Sequence, residues 1–327
     1  MSTNRFLRIE SGMWARAVAL AFVFFLGIQG KSCFATDWSA IQTAIGANGN
    51  VMPGDVLRFE LARVDLTVTV DGTPVPRGQV ASIVNGFIAF KPSFNGNFFV
   101  DGALPAQESE VNALESALRA DTQIDLTGIS SRLINETPKI VWVYFEGRGD
   151  GGDLATALAS ALSVIKSPQM NIHVIPGTAG IIDPSSILPP KFLKLFDEGY
   201  VELLDATFAF YLPRPDERSI YLGDVRAETG LGVGQSFNIT LNLAGGTDIV
   251  LNIDFALKRE EVQDAEDALR AGGFTISSQG ERYLNDNPRL VIVHATGSGD
   301  GFALGNTLYD VIQIIQSDSG HGRDHGW

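Results

Sequence analysis

Cysteine is nearly missing from this chain: of 327 residues only Cys33 is one, so no internal disulfide can form and no thiolate cluster can be built. Histidine is almost as scarce, with His173, His294, His321 and His325. No HExxH or comparable cluster is present, which removes the usual pattern of a catalytic zinc site. Positive charge is short as well. Lys plus Arg number 24 against 38 for Asp plus Glu, a formal charge of −14, and a chain this acidic repels a phosphate backbone. Nucleic acid is therefore excluded as a partner. Also lacking are a Gly-x-Ser-x-Gly elbow, a Walker-type phosphate loop and a Rossmann fingerprint. The expectation is no bound metal and no cofactor. What remains is 45% apolar and 9% aromatic residues, enough for one large or two moderate globular cores.

The first segment carries Arg5, Arg8 and Arg16, then the apolar run 17–26, then small residues around Cys33-Phe34-Ala35. That is the layout of a secretory signal peptide over residues 1–35. The run is shorter than the roughly 18–20 residues of a membrane span, so no stable span is expected after cleavage at Ala35. Retention as an anchor and lipidation at Cys33 stay open as alternatives, the latter disfavoured by Lys31. These 35 residues hold four Lys/Arg and one acid, so their loss leaves a formal charge of −17. The expected location is periplasmic or secreted.

Compared with itself, the chain repeats. Residues 132–158, RLINETPKIVWVYFEGRGDGGDLATAL, align without a gap to 282–308, RYLNDNPRLVIVHATGSGDGFALGNTL, with eleven of 27 positions identical. Upstream, SEVNALESALRA (109–120) matches EEVQDAEDALRA (260–271), and Arg63-Val64-Asp65 matches Arg214-Pro215-Asp216. Two units follow, 38–167 and 189–317, joined by a Pro-rich connector, 168–188, and ended by a flexible tail, 318–327. Within the first unit the pattern predicts a short helix with Trp38, Ile41 and Ile45 on one side, and strands over VLRFEL, DLTVTV, GFIAF and NFFVDGAL with turns at Asp71-Gly72 and Asn95-Gly96. A helix with Val111, Leu114 and Leu118 on one face comes next, then the strand IVWVYF and a helix burying Leu154, Leu158, Ala161, Leu162 and Ile165. The counterparts of that last face are Leu304, Leu308, Val311, Ile312 and Ile315. The fold class is α+β, a tandem duplication of one sheet-plus-helices unit, its copies related by a pseudo-twofold axis.

Four sets of residues are candidates for chemistry. The loops Gly147-Arg148-Gly149-Asp150-Gly151 and Gly297-Ser298-Gly299-Asp300-Gly301 join strand to helix. Their glycines suit a tight turn with positive φ and Asp150 and Asp300 suit helix caps; an anion cradle is the alternative, opposed by the Asp charge. Arg63 with Asp65, and Arg214 with Asp216, stand two apart, on one face of an extended strand, as ion pairs or as the polar lining of a cleft. His294 is the one histidine inside the repeated frame, with Tyr144 as its counterpart. The tail HGRDHGW reads as a disordered terminus.

Read together, Trp38 with Ile41, Ala44-Ile45-Gly46, the stretch from Arg63 and Asp65 through Leu66, Val68 and Val70 to Asp71-Gly72, Glu110-Val111, Pro138, Gly147-x-Gly149-Asp150 and Leu154-Ala155-x-Ala157-Leu158 resemble the exported LppY/LpqO family. This bacterial domain of unknown function includes lipoproteins. The resemblance implies export and a tandem α+β arrangement and brings no activity. It also implies histidines before the Pro and on the following strand. Here those positions hold Ser130, Ser131 and Arg132, then Tyr144, Glu146 and Arg148; in the second copy they hold Gly280, Glu281 and Arg282, then His294, Thr296 and Ser298.

The leading functional expectation is a non-enzymatic protein binding a small ligand in a polar cleft between the copies, with Arg63, Asp65, Arg214 and Asp216 as contacts. Asp150, Asp300 and His294 are further candidates. A metal-assisted hydrolase using His294 with Asp300, Glu281 or Glu146 is the alternative, and an acidic interaction scaffold is the third. The oligomeric state is open.

Overall fold

The computed structural model describes residues 36–70, 72–75, 80, 83–165, 173–174, 184–196, 200–204, 207–241 and 248–318. The proposed signal segment with Cys33, most of the connector, and His321 and His325 lie outside the described residues. From Trp38 onward the chain forms one compact unit.

The first half runs α1 (Ser39–Ile45), β1 (Asn50–Met52), β2 (Val56–Ala62), β3 (Thr69–Val70), β4 (Thr73–Pro74), β5 (Asn85–Pro92), β6 (Phe98–Gln107), α2 (Val111–Leu118), β7 (Ile124–Ser130), β8 (Glu136–Thr137), β9 (Ile140–Gly149) and α3 (Gly151–Leu162). After β10 (His173–Val174) and α4 (Pro190–Leu193), the second half runs β11 (Tyr200–Leu204), β12 (Thr207–Leu212), β13 (Tyr221–Leu222), β14 (Val225–Arg226), β15 (Gln235–Leu241) and β16 (Asp248–Lys258). It ends with α5 (Val262–Ala271), β17 (Thr275–Glu281), β18 (Asp286–Asn287), β19 (Leu290–Asp300) and α6 (Gly301–Asp318). One antiparallel sheet has the order β1-β2-β5-β6-β9-β7 and the other β10-β11-β12-β15-β16-β19-β17. Apart from the added β10, the second sheet has the strand order of the first.

Alternation along the strands sorts the side chains into layers. In β2, Leu57, Phe59 and Leu61 join the cluster formed with α1, α2 and α3, where Ile41, Leu114, Leu154 and Leu158 are buried. The equivalent cluster of the second half packs Phe237, Leu251 and Phe255 against Leu269, Leu304 and Leu308. The opposite faces of both sheets share a third cluster, holding Val56, Phe87, Trp142 and Tyr144 from one half and Tyr211, Leu222, Ala256 and Ile292 from the other. Helices therefore cover each sheet on one side while the two sheets cover each other, which is why the halves form one body and not two separate domains.

Sequence and structure differ in three places. The stretch 65–70 contributes only the two-residue β3, paired with β4 and β8 in a small side sheet. The edge strands β7 and β17 were not expected. Both carry a register irregularity, between Leu126 and Gly128 and between Ile276 and Ser278, and a bulge of this kind breaks the period of two that marks a strand. The glycines before Asp150 and Asp300 are not turn glycines either. Gly147, Gly149 and Gly297 lie inside β9 and β19, where a Cβ on Gly147 would meet the Gln123 carbonyl at 2.8 Å and one on Gly297 the Phe274 ring at 2.7 Å. They permit close approach; of this group only Gly299 has a positive φ, 134°. The Asn95-Gly96 turn does form as expected, with φ of 59° and 78°.

Candidate functional site

Charged side chains in a strand otherwise as apolar as VLRFEL must be paired or face a polar space, because an isolated charge out of water is costly. Arg58 and Glu60 alternate with Leu57, Phe59 and Leu61 and so point away from the helices, into the layer between the sheets. Each is about 5% exposed or less. Arg58 Nε donates to Glu60, its Nη1 donates to the Gly230 carbonyl at 2.8 Å, and the guanidinium lies 3.8 Å from the Phe87 ring centre. Tyr211 OH, from the opposite sheet, donates to the same Glu60 at 3.0 Å.

Two further arginines cross between the halves. Arg132 donates through Nε to Tyr144 OH at 3.0 Å and through Nη1 to Asp254 of the second half at 3.1 Å. Arg282, its counterpart, donates through Nη2 to Asp101 of the first half at 3.3 Å. Each half thus supplies an arginine to a carboxylate of the other. Burial pushes Asp254 up, but Arg132 and His294 outweigh it and hold the carboxyl well below its ordinary range. An ionised Asp254 accepts only, so the 2.6 Å contact to His294 Nδ1 has the ring donating. Asp101 goes the other way: burial dominates over Arg282 and Arg58, and the carboxyl is pushed up to about 7.

Several of these groups line a cavity of about 30 Å³: Arg58, Glu60, Arg132, Asp254 and Arg282, joined by Gln235 and Asn238. Polar capacity at its wall is unspent. Gln235 Oε1 accepts from Ala256 N at 3.1 Å, while its Nε2 is buried with no partner, as are Asn238 Oδ1 and, in the same layer, Asp101 Oδ1, Asn252 Nδ2 and His294 Nε2. Buried polar groups are nearly always satisfied in native folds, so such a concentration points to a ligand or ordered water.

The expected contacts Arg63, Asp65, Arg214 and Asp216 are elsewhere and are committed. Arg63, 0% exposed, donates to both oxygens of Asp65 at 2.9 and 3.0 Å, to Glu110 at 2.8 and 3.2 Å and to the Pro105 carbonyl at 3.1 Å. Arg214 repeats all five with Asp216, Glu261 and the Ala256 carbonyl. The pairing read from the spacing is present, as a structural clamp with no donor left for a ligand. Burial raises Asp216, but hydrogen bonds from Arg214 and Lys258 carry the net shift downward. Arg214 and Glu217 both line a wider cleft of about 1220 Å³, and Glu217 is pushed up to about 7 by burial and by the neighbouring Glu228.

Asp150 caps α3, accepting from Gly152 N and Asp153 N at 2.8 and 3.1 Å, and Asp300 accepts from Ala303 N at 2.9 Å. The capping role stands. His294 meets Asp254 and not the expected Asp300, Glu281 or Glu146: Glu146 bonds Arg148 and the Leu284 amide, and Glu281 bonds Arg289. No group of three or more His, Cys, Asp or Glu that could hold a metal occurs among the described residues, and none of their helices is long and apolar enough to cross a membrane. The inner polar layer was missed, though signals were present: charge at a period of two in an apolar strand, and Arg132 aligned with Arg282.

No curated protein matches the chain. Among solved structures, similarity extends to the trimeric bacterial microcompartment shell protein PduB, at 13% identity and a TM-score of 0.21 over 85% of this chain and 94% of that one. EtuB from Clostridium kluyveri gives 12% and 0.19 over 82% and 90%. The family described as Domain of Unknown Function (DUF1259) matches in two segments, residues 39–164 and 198–314, which cover the first sheet and, apart from β10, the second, and together exceed half of the chain. The chain belongs to that family.

Proposed function

We propose that this protein is an exported, non-enzymatic binding protein that holds a small polar ligand in the cavity between its two sheets. Its halves are read as a tandem duplication whose copies face each other about a pseudo-twofold axis, with kinship to the exported LppY/LpqO proteins. The equal strand order, the equal clamps and the two-segment family match support the duplication. The Arg-then-apolar N-terminal layout supports export.

One observation carries the binding reading: Gln235 Nε2 and Asn238 Oδ1, both buried with no partner, belong to residues lining a cavity walled also by Arg58, Arg132 and Arg282. Leaving such groups unpaired costs roughly 1–3 kcal/mol each, so a molecule that pairs with them is strongly favoured. The contacts are then Arg132, Arg282 and Gln235, with Arg58 and Asn238 beside them. Arg63, Asp65, Arg214 and Asp216 hold the strands that form the wall.

The test is a thermal-shift series with small polar compounds on the wild type and on Gln235→Glu. This change keeps the acceptor for Ala256 N and removes the free donor. A saturable rise in Tm that the variant loses supports the reading; no saturable rise with any compound counts against it. The enzymatic alternative has its own support in the Asp254–His294 pair, whose Nε2 is open, and predicts a stoichiometric transition metal lost on His294→Ala.

A further inference from the structure

Size and charge at the inter-sheet cavity narrow the ligand class, an inference that rests on the binding reading above. A volume of about 30 Å³ accommodates roughly two waters, which excludes sugars, nucleosides and most amino acids. The two carboxylates in the wall are engaged, Glu60 through Oε1 with Arg58 and Tyr211, and Asp254 through both oxygens with Arg132 and His294. Asp101, the carboxylate with an open oxygen, is outside the lining.

The wall carries three guanidiniums, those of Arg58, Arg132 and Arg282, against the two carboxylates. Gln235 Nε2 is a buried donor with no partner, and Asn238 Oδ1 sits on an amide that presents nitrogen if turned over. The guanidinium fork matches a planar pair of oxygens. Desolvation strengthens the match: the three arginines are each 5% exposed, so an anion among them meets little screening. Local positive charge here is set inside a chain of formal charge −14, so an anion gains from this site and not from the surface.

We infer that the ligand of this cavity is a small oxyanion of three or four heavy atoms, a carboxylate, carbonate or nitrate, gripped by Arg282, Arg132 and Gln235 Nε2.

Isothermal titration of the full-length protein with sodium formate and sodium nitrate, at ionic strength held by sodium fluoride, tests this beside urea as a neutral planar probe of similar size. The expected result is saturable binding of formate or nitrate, no binding of urea, and at least tenfold weaker binding to Gln235→Glu. Arg282→Lys, which keeps the charge but loses the fork, should weaken binding as well, with circular dichroism confirming that both variants fold. Urea binding as tightly as nitrate in a Gln235-dependent manner would overturn the oxyanion inference and leave the binding reading intact. Nitrate binding unchanged in Gln235→Glu places the anion elsewhere and overturns the inference. Absence of saturable binding by all three probes removes the inference too, while a larger neutral compound active in the thermal-shift series would keep the binding reading alone.

Discussion

In the first half Arg63 bonds Asp65, Glu110 and the Pro105 carbonyl; in the second, Arg214 makes the same five bonds to Asp216, Glu261 and the Ala256 carbonyl. Across the inner faces the halves diverge. Tyr144 stands where the second half has His294, Glu146 where it has Thr296, and strand register sets Asp101 against Asn252 and Ala103 against Asp254. The contrast separates two demands. A clamp inside one half needs the same partners in both. A face pressed against another face needs only that each charge find one partner, so the two halves can place their acids differently. Placing one acid on β6 and the other a pleat further along β16 gives Arg132 and Arg282 one carboxylate each.

The clamps give the largest expected effect. Arg214→Ala should cost about 3–5 kcal/mol in urea unfolding, since removing one partner leaves buried carboxylates unpaired. Arg63→Ala should cost less. Asp65 and Glu110 are 29% and 11% exposed, where Asp216 and Glu261 are 9% and 0%, so water takes over more of the lost pairing. Equal losses in the two halves would show that the surroundings of the clamp do not matter.

Next come the crossing pairs. A double-mutant cycle on Arg132→Met and Asp254→Asn should give a coupling of roughly 1–3 kcal/mol, unchanged between pH 6 and pH 9 because Asp254 stays ionised throughout. The Arg282→Met and Asp101→Asn cycle should grow from pH 6 to pH 8, as Asp101 loses its proton near 7. A pH-independent second cycle would erase the distinction between the pairs.

Much of this molecule was legible in its sequence. Helix faces such as Leu154, Leu158 and Ile165 are buried as the 3.6 period requires, the two aspartates cap their helices, and the Arg63–Asp65 pairing follows from spacing on a strand. What spacing could not convey was direction. Arg63 and Arg58 are both arginines in strand-rich stretches, yet one is consumed within its own half and the other faces across to Tyr211 and Gly230, and only the packing of sheet on sheet separates them. The edge strands β7 and β17 were hidden for a local reason. TISSQGE is polar and half-solvated, and the bulge at Ile276/Ser278 disturbs its alternation. Asp101 and Asp254 were invisible as partners because the residues they meet lie 181 and 122 positions away.

The smallest expected effect sharpens the comparison most. Asp101→Asn gives the first half the residue that the second half carries at Asn252. Asp101 has an ordinary value of 3.8 and is pushed up to about 7 on folding, so the native state binds its proton more tightly than the unfolded chain. Stability from this group is full below about pH 4, declines as pH rises, and is lost above 7. Asparagine does not titrate. The difference between Asp101→Asn and the wild type should therefore shift in favour of the variant from pH 5 to pH 8, by about 2 kcal/mol, the lost Arg282 contact being the same at both pH values. Urea melts at both pH values measure it. A difference that stays flat would mean that Asp101 ionises like an exposed carboxylate, and that the inner faces differ in shape without differing in how they hold charge.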